Sequence, residues 1–357
     1  MKQNLFIFSN SILRKKDNTL LIESNPDKEP AYEADIDLQE PDVIIPPPTD
    51  SEYSSKKFIP ADNIESIFTF GDIRFNTRFL SIASNYGILI HSFNYYGKYI
   101  GSFLPVSSIN SGSIAILQVN FYNDYEKRLK LASAFVKGAA LNSVANLLYY
   151  KYRNIELEEE IDNINLLINS LDSSLSIGEL MGIEGNIKAI YYKSWKKIFK
   201  KEIEFTKRVK RPPDNMINCL ISYGNAVLYG VCLNEIYRTG LLPSIGFLHS
   251  PGENRLPLSF DLAEIFKPVI VDKTIFKLVN KDLLDENDFF LREGIFTMKN
   301  NIKKVFIENL ENRLKSTIIN EKLKRSTSYR TIIRLECHKL INHLKDKEEF
   351  KPFYNKP

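Results

Sequence analysis

A chain of 357 residues, 43% hydrophobic and 26% charged, has the length and composition to bury one large core or two ordinary ones. No uninterrupted apolar run approaches the roughly 20 residues that cross a bilayer. The start, MKQNLFIFSNSILRKK, alternates like a strand rather than like a secretory leader. Cys219, Cys232 and Cys337 are scattered and form no CxxC pair, which argues against a disulfide scaffold or a zinc ribbon and for a cytoplasmic protein. The formal net charge of +4 conceals a segregation: residues 23–52 hold ten acids and one base, net −9, so the rest of the chain carries +13. A basic body is the electrostatic footprint of a polyphosphate ligand.

In chain order, the first stretch is β-like. NLFIFS, TLLI, FIPADNIESIFTF, GILIHSF and KYIGSFL are rich in Ile and Phe and are bounded by Gly, Asn and Pro. The acidic segment 23–52 holds six prolines and reads as an extended insertion: a solvated loop, a nucleic-acid mimic or a partner-docking arm. One helix interrupts the strands, with Thr77 as its cap and Gly87 as its end. SSINSGS, residues 107–113, is a turn-former cluster that reads as a linker. Beyond it, helical apolar spacing runs over residues 114–151, 155–170, 183–207, 212–238, 258–280, 300–324 and 326–346. The expected fold class is α+β: a small N-terminal β-rich domain over 1–106, followed by a larger all-α domain over 114–357.

Chemistry has few candidates. His91 reads as a core or edge residue of a strand, and His338 and His343 lie among Lys and Arg on the last helix. His249 follows GLLPSIGFL and precedes Ser-Pro-Gly, so it sits on a positioned turn. In the next segment, LSFDLAEIFKP, Ser259 is expected to cap a helix on which Asp261 and Glu264 share a face, turned to solvent or into a cleft. Glu184 lies between Gly182 and Gly185 where a helix is expected to begin, either a simple N-terminal charge or a ligand with room around it. Should Glu184, His249 and Glu264 meet, two carboxylates and an imidazole would suit Mn²⁺ or Mg²⁺. Between them, residues 185–211 carry ten bases against two acids, interleaved with Tyr191, Tyr192, Trp195, Phe199 and Phe205. Those rings are core by default. The bases, Lys188, Lys193, Lys196, Lys197, Arg208 and Arg211 among them, form a solvated face or a track for phosphates.

MGIEGNIKAIYY, RPPDNMINCLISYGNAVLYG and GLLPSIGFLHSPGENRLPLSFDLAEIFKP closely resemble, in order and spacing, the motifs of the CRISPR-associated Cas-one endonuclease and integrase family. FIPADNIESIFTFGDIRFNT and GILIHSFNYYGKYIGSF resemble that family's N-terminal domain. The resemblance implies a dimerising β-domain, hence a homodimer, and a helical catalytic domain. It implies insertion of new spacers into a CRISPR array, on double-stranded DNA, together with the Cas-two protein. Residue by residue, it places metal ligands at Glu184, His249 and Glu264. Asp261 would stand close to the metal, and Arg255 and Lys267 would contact phosphate. The family often has Arg where Lys267 stands, and the acidic insertion replaces a short hairpin. Two rival readings remain at this level: a metal-dependent nuclease on branched or repair DNA without integration, and a non-catalytic helical DNA-binding scaffold.

Overall fold

The computed structural model describes residues 2–24, 55–94, 97–105, 112–203, 205–210, 212–252, 256–292, 295–320 and 322–356. Most of the acidic insertion and of the expected linker, together with Arg211 and Arg255, lies outside the described residues. The chain divides into two compact units, residues 1–109 and 110–357.

The first unit is β-rich. β1 (Gln3–Ile7), β5 (Ile64–Thr69) and β7 (Leu89–Phe93) pair in parallel, and β8 (Tyr99–Phe103) closes that sheet antiparallel to β7. A second sheet runs in the order β4 (Ser55–Pro60), β3 (Thr19–Ser24), β2 (Ser11–Lys16), β6 (Ile73–Phe75). Alternation along the strands buries Leu13, Leu20, Ile22, Ile59, Ile64 and Ile67 in one core, sealed by α1 (Thr77–Asn85) through Phe79 and Ile82. The cap of α1 is Asn76 rather than Thr77: its side chain accepts the Phe79 N–H at 3.0 Å, and Thr77 is the first helical residue. His91 is fully buried and its Nδ1 lies 2.6 Å from Ser102 Oγ, a core histidine with a partner.

The second unit is mostly helical and is built around two long apolar helices, α3 (Tyr125–Lys151) and α6 (Met216–Thr239). By length and composition both could cross a membrane, but 72% and 78% of their most apolar windows are buried inside the protein, as in core helices. Around them lie α2 (Gly112–Asn123), α4 (Glu158–Ser170), α5 (Ile177–Ile198), α7 (Pro257–Phe266), α8 (Lys273–Asn280), α9 (Asn300–Lys315) and α10 (Tyr329–Leu344). Two hairpins are added. β9 (Phe289–Arg292) pairs with β10 (Ile295–Met298), and β11 (Thr317–Asn320) pairs with β12 (Arg325–Ser328). The second replaces the end of a helix expected to run to residue 324, because the β-branched residues of TII and STS support a ladder as readily as a helical face.

Two further boundaries move for physical reasons. α2 and α3 part at Asp124, whose carboxylate accepts the Lys127 N–H at 3.1 Å and restarts the helix. The helix expected over 258–280 is interrupted by a π segment at Lys267–Asp272. Pro268 has no N–H to give to the Glu264 carbonyl, so the ladder cannot continue there with its usual spacing. Neighbouring side chains answer carbonyls around the break: Asn142 Nδ2 donates to Ile265 O (2.9 Å), Asn146 Nδ2 to Pro268 O (2.8 Å) and Arg313 Nε to Val269 O (2.8 Å).

The C-terminal residues are tied into the same place. Asn142 Nδ2 also donates to Phe353 O (3.0 Å), and Asn142 Oδ1 accepts the Asn355 N–H (2.8 Å). Phe353 stacks on Phe266 at 5.7 Å between centroids, and Glu336 accepts the Phe353 N–H at 2.9 Å. Pro352 lies so close to Gly138 of α3 that a Cβ there would come within 2.6 Å of the ring. The tail therefore braces the α3–α7 pair from behind.

Candidate active site: a carboxylate pair sharing one ammonium

α7 is buried nearly all round, and Pro257 at its first position presets the backbone for it. Ser259 lies inside the helix, where its hydroxyl donates to Leu256 O at 2.7 Å, instead of capping it. Asp261 points to the loop that precedes α7. Its Oδ2 accepts the N–H of Phe247 (2.6 Å) and of Leu248 (3.1 Å), its Oδ1 accepts the His249 N–H (3.0 Å), and Oδ1 also stands 2.7 Å from His249 Nδ1. The tight approach depends on Gly246, where a Cβ would lie 2.8 Å from both His249 O and Pro257. With Nδ1–H donated to Asp261, the neutral imidazole keeps a lone pair on Nε2. Burial is the largest single influence and disfavours the imidazolium, but the Asp261 hydrogen bond, the Asp261 charge and the Glu264 charge together outweigh it and hold the pKa above its ordinary value.

One turn further along α7, Glu264 faces the opposite kind of neighbour. It is 3% exposed, and Lys267 Nζ donates to its Oε1 at 2.5 Å. Lys188 Nζ lies 2.8 Å from Oε2 as an ion pair without hydrogen-bond alignment, and the same ammonium donates to Glu184 Oε1. Glu184 and Lys188 are i, i+4 on α5, so one helix face presents both. Burial alone would raise the Glu264 carboxyl, yet the two lysines hold it well below the usual carboxylate range. Burial is likewise the largest influence on both ammoniums and would lower them, but the summed attraction of their neighbours, Glu264 foremost and for Lys188 also Glu184, raises both. The four groups line a narrow cleft together with small side chains of α3, Ala139, Ala140 and Ser143. Glu264 in turn acts on His249, drawing its pKa upward across the space between them.

α5 starts at Ile177, capped by Ser176 (3.1 Å to the Glu179 N–H), so Glu184 stands two turns inside the helix and not at its N-terminus. Its side chain is thus aimed by helix geometry at α7. Among the described residues, no group of three or more His, Cys, Asp or Glu side chains stands close enough together, as they are, to hold one ion. What fits a hard cation is the donor set: carboxylate oxygens of Glu184 and Glu264 already converge on one positive charge, with an oriented imidazole within electrostatic range.

A family model described as CRISPR associated protein Cas1 matches residues 5–312. The chain belongs to the Cas1 family. The CRISPR-associated endonuclease Cas1 of Fusobacterium nucleatum is 38% identical over 99% of this chain and 96% of its own length. An endonuclease Cas1 of Thermodesulfovibrio yellowstonii is 40% identical over 99% of each chain. Of solved structures, a Cas1 protein from Thermotoga maritima matches with a TM-score of 0.78 at 32% identity, over 98% of this chain and 99% of that one. A casposase bound to an integration product shares the fold, with a TM-score of 0.80 at 20% identity over 100% of this chain and 95% of that one.

Set beside the other site residues expected for a Cas1 family member, the basic ones divide. Lys193 and Lys196 are exposed. Lys197 pairs with Glu160 at 2.6 Å and donates to Glu156 O. Arg208 spends its guanidinium on Asn218 Oδ1 (3.0 Å), Ser222 Oγ (2.8 Å) and the carbonyl of Val209, so it clamps its own loop rather than presenting a free charge. Lys188 and Lys267 are likewise turned inward to carboxylates rather than outward to a ligand. Asp261, expected beside a metal, has both oxygens committed to the His249 loop. Tyr191, Tyr192, Trp195, Phe199 and Phe205 are all buried core.

Two further residues belong to the site: Lys210, one of the ten bases of the 185–211 tract, and Asp272. Lys210 sits within electrostatic range of the cluster: burial lowers its ammonium, and Lys188 and Lys267 lower it further. Asp272, at the end of the π segment, lines the cleft, is 1% exposed and faces the Tyr191 hydroxyl, while its Oδ1 has no hydrogen-bond partner. Burial pushes its pKa up to about 8. An acid closing the otherwise apolar run PVIVD was the available signal.

Proposed function

We propose that this chain is a divalent-ion-dependent DNA endonuclease and integrase, joining the 3′-hydroxyl of spacer DNA to a phosphodiester at the edge of a CRISPR repeat. The observation that carries this reading is the convergence of Glu184 and Glu264 on a single positive charge in one cleft, with the His249 ring held by Asp261 within electrostatic range of Glu264. Glu184, Glu264 and His249 Nε2 would hold Mn²⁺ or Mg²⁺. Such an ion, when bound, supplies Lewis-acid polarisation of the phosphoryl oxygen and a lowered pKa for the attacking hydroxyl. Asp261 fixes the imidazole tautomer so that Nε2 faces outward. Lys267 stays with Glu264 and keeps it ionised. Lys193, Lys196, Lys210, Arg211 and Arg255 supply phosphate contacts that hold the duplex in line. The endonuclease names of relatives covering the whole chain support the reaction class. One fold neighbour is a Cas6-RT-Cas1–Cas2 complex, which supports Cas2 as partner. The β-rich unit serves as the homodimer contact, and the protein works in the cytoplasm.

The test supplies a repeat-containing plasmid, a 3′-hydroxyl oligonucleotide and Mn²⁺ or Mg²⁺. Glu184→Ala, His249→Ala and Glu264→Ala should each reduce covalent joint products by at least about 10²-fold, the scale expected when a group that stabilises the transition state is removed. Salt-sensitive DNA binding should survive. Unchanged joining in the three variants would remove the mechanism, and cleavage by the wild type without joint products would reduce the function to that of a nuclease.

A further inference from the structure

The cleft holds two ammoniums that are not equivalent. Lys267 is 7% exposed, pairs with Glu264 alone and has its Nζ 5.0 Å from the centre of the Tyr229 ring, so it is a fixed counter-ion. Lys188 has a side chain 29% exposed, lines the cleft and touches both carboxylates. It sits one helical turn from Glu184 on a flexible four-carbon stem, whereas the Lys267 side chain is only 9% exposed. With both lysines in place the two carboxylates are electrically neutralised. A divalent ion arriving between them would meet an ammonium at contact distance, a repulsion several times thermal energy in protein surroundings.

We propose that Lys188 is a resident placeholder cation: it holds Glu184 and Glu264 together in the ion-free protein and is displaced into the cleft when a divalent ion takes its position. This rests on the metal-site reading above. It assigns to Lys188 a role as competitor and positioning residue for the ion, in place of a contact on the DNA track. Once released, its ammonium faces the same cleft as the ion and is free to meet a phosphate oxygen.

The test is Mn²⁺ affinity of the full chain without DNA, read from free Mn²⁺ by electron paramagnetic resonance, for wild type and Lys188→Met. The variant should bind Mn²⁺ at least about tenfold tighter, because one competing unit charge has left the site. Its melting temperature should be lower than wild type without the ion and should rise further when Mn²⁺ is added. Lys188→Gln carries the same test if the methionine variant does not fold. In the wild type, amine labelling by acetic anhydride should increase severalfold at Lys188 on saturation with Mg²⁺ and stay constant at Lys267. Mn²⁺ bound by the wild type but no tighter by the variants, or Lys188 labelling that stays level or falls with Mg²⁺, overturns the proposal alone. Absence of Mn²⁺ binding in every protein overturns the metal-site reading and the proposal together.

Discussion

Asp261 and Glu264 stand three residues apart on one buried helix, and the surroundings of the two differ in kind. At the loop end, Asp261 is answered by three backbone N–H groups and an imidazole, none of which can leave without unfolding the turn at residues 247–249. At the cleft end, Glu264 is answered by two ammoniums, Lys267 held within the protein and Lys188 part-exposed on a flexible stem. Both arrangements satisfy a buried carboxylate, but only the second can be exchanged for another cation. The comparison assigns scaffold to one end of α7 and chemistry to the other, although the residue types are nearly identical.

The strongest way to break this assignment is at the loop end. Asp261→Ala strands three buried N–H groups, each worth about 1–3 kcal/mol when left unpaired, so a loss of roughly 4 kcal/mol is expected in urea unfolding. The His249 ring would also lose its orienting partner, and strand transfer should fall along with stability. A variant that unfolds at the wild-type midpoint would show that the carboxylate is dispensable to the loop, and the division between the two ends of α7 would fail.

How much of this was legible in the residues follows the same division. Periodicity found the β-rich start and the helices, and the motif around MGIEG, GFLH and DLAE pointed to the residues that the fold gathers on α5, the loop and α7. What it could not give was direction. Asp261 and Glu264, spaced i, i+3, were expected on one face turned to solvent or into a cleft, but the loop's N–H groups draw Asp261 away and the lysines draw Glu264 inward. The π segment was hidden because apolar spacing over 258–280 does not register the missing N–H of Pro268 as a change of pitch. Lys188 and Arg208 read as members of a basic face, since a sequence shows charge but not the acceptor that a neighbouring helix or loop will supply.

A second test sharpens the comparison through pH. Asp272 is another buried acid of the cleft and, among the described residues, is in no ion pair; burial raises its pKa from 3.8 to about 8. The folded protein therefore keeps a proton that the unfolded chain releases, and the stability contributed is whole below about pH 4 and lost as pH rises toward 8. Glu264 has the opposite sign: its depressed folded pKa gives stability above its ordinary pKa, lost as the solution is acidified through the folded value. Asp272→Asn mimics the protonated form, so the variant should be near wild type at pH 4 and more stable by about 3 kcal/mol at pH 6. Urea midpoints at the two pH values decide it. Parallel loss of stability in both proteins would mean that Asp272 is not the buried group that titrates.

The smallest expected effect lies behind the cleft, where the chain's last residues brace the helix that carries Glu264. The Asn142 amide donates to Ile265 O and Phe353 O and accepts the Asn355 N–H, so it joins the backbone next to Glu264 to the tail. Asn142→Ala removes those bonds and leaves the Ile265 carbonyl without its side-chain donor, a loss of about 2 kcal/mol. Asn142→Asp is the informative companion, because it keeps the acceptor for Asn355 but turns a donor toward two carbonyls into an acceptor. If the tail only adds stability, both variants will lower the urea midpoint and leave the turnover of the folded fraction unchanged. If it holds α7 in register with α5, turnover per folded molecule will also fall while DNA affinity stays the same, because a carboxylate displaced by a fraction of an ångström still leaves the basic surface intact. The bracing at Ile265, one residue from Glu264, makes the second result the expected one.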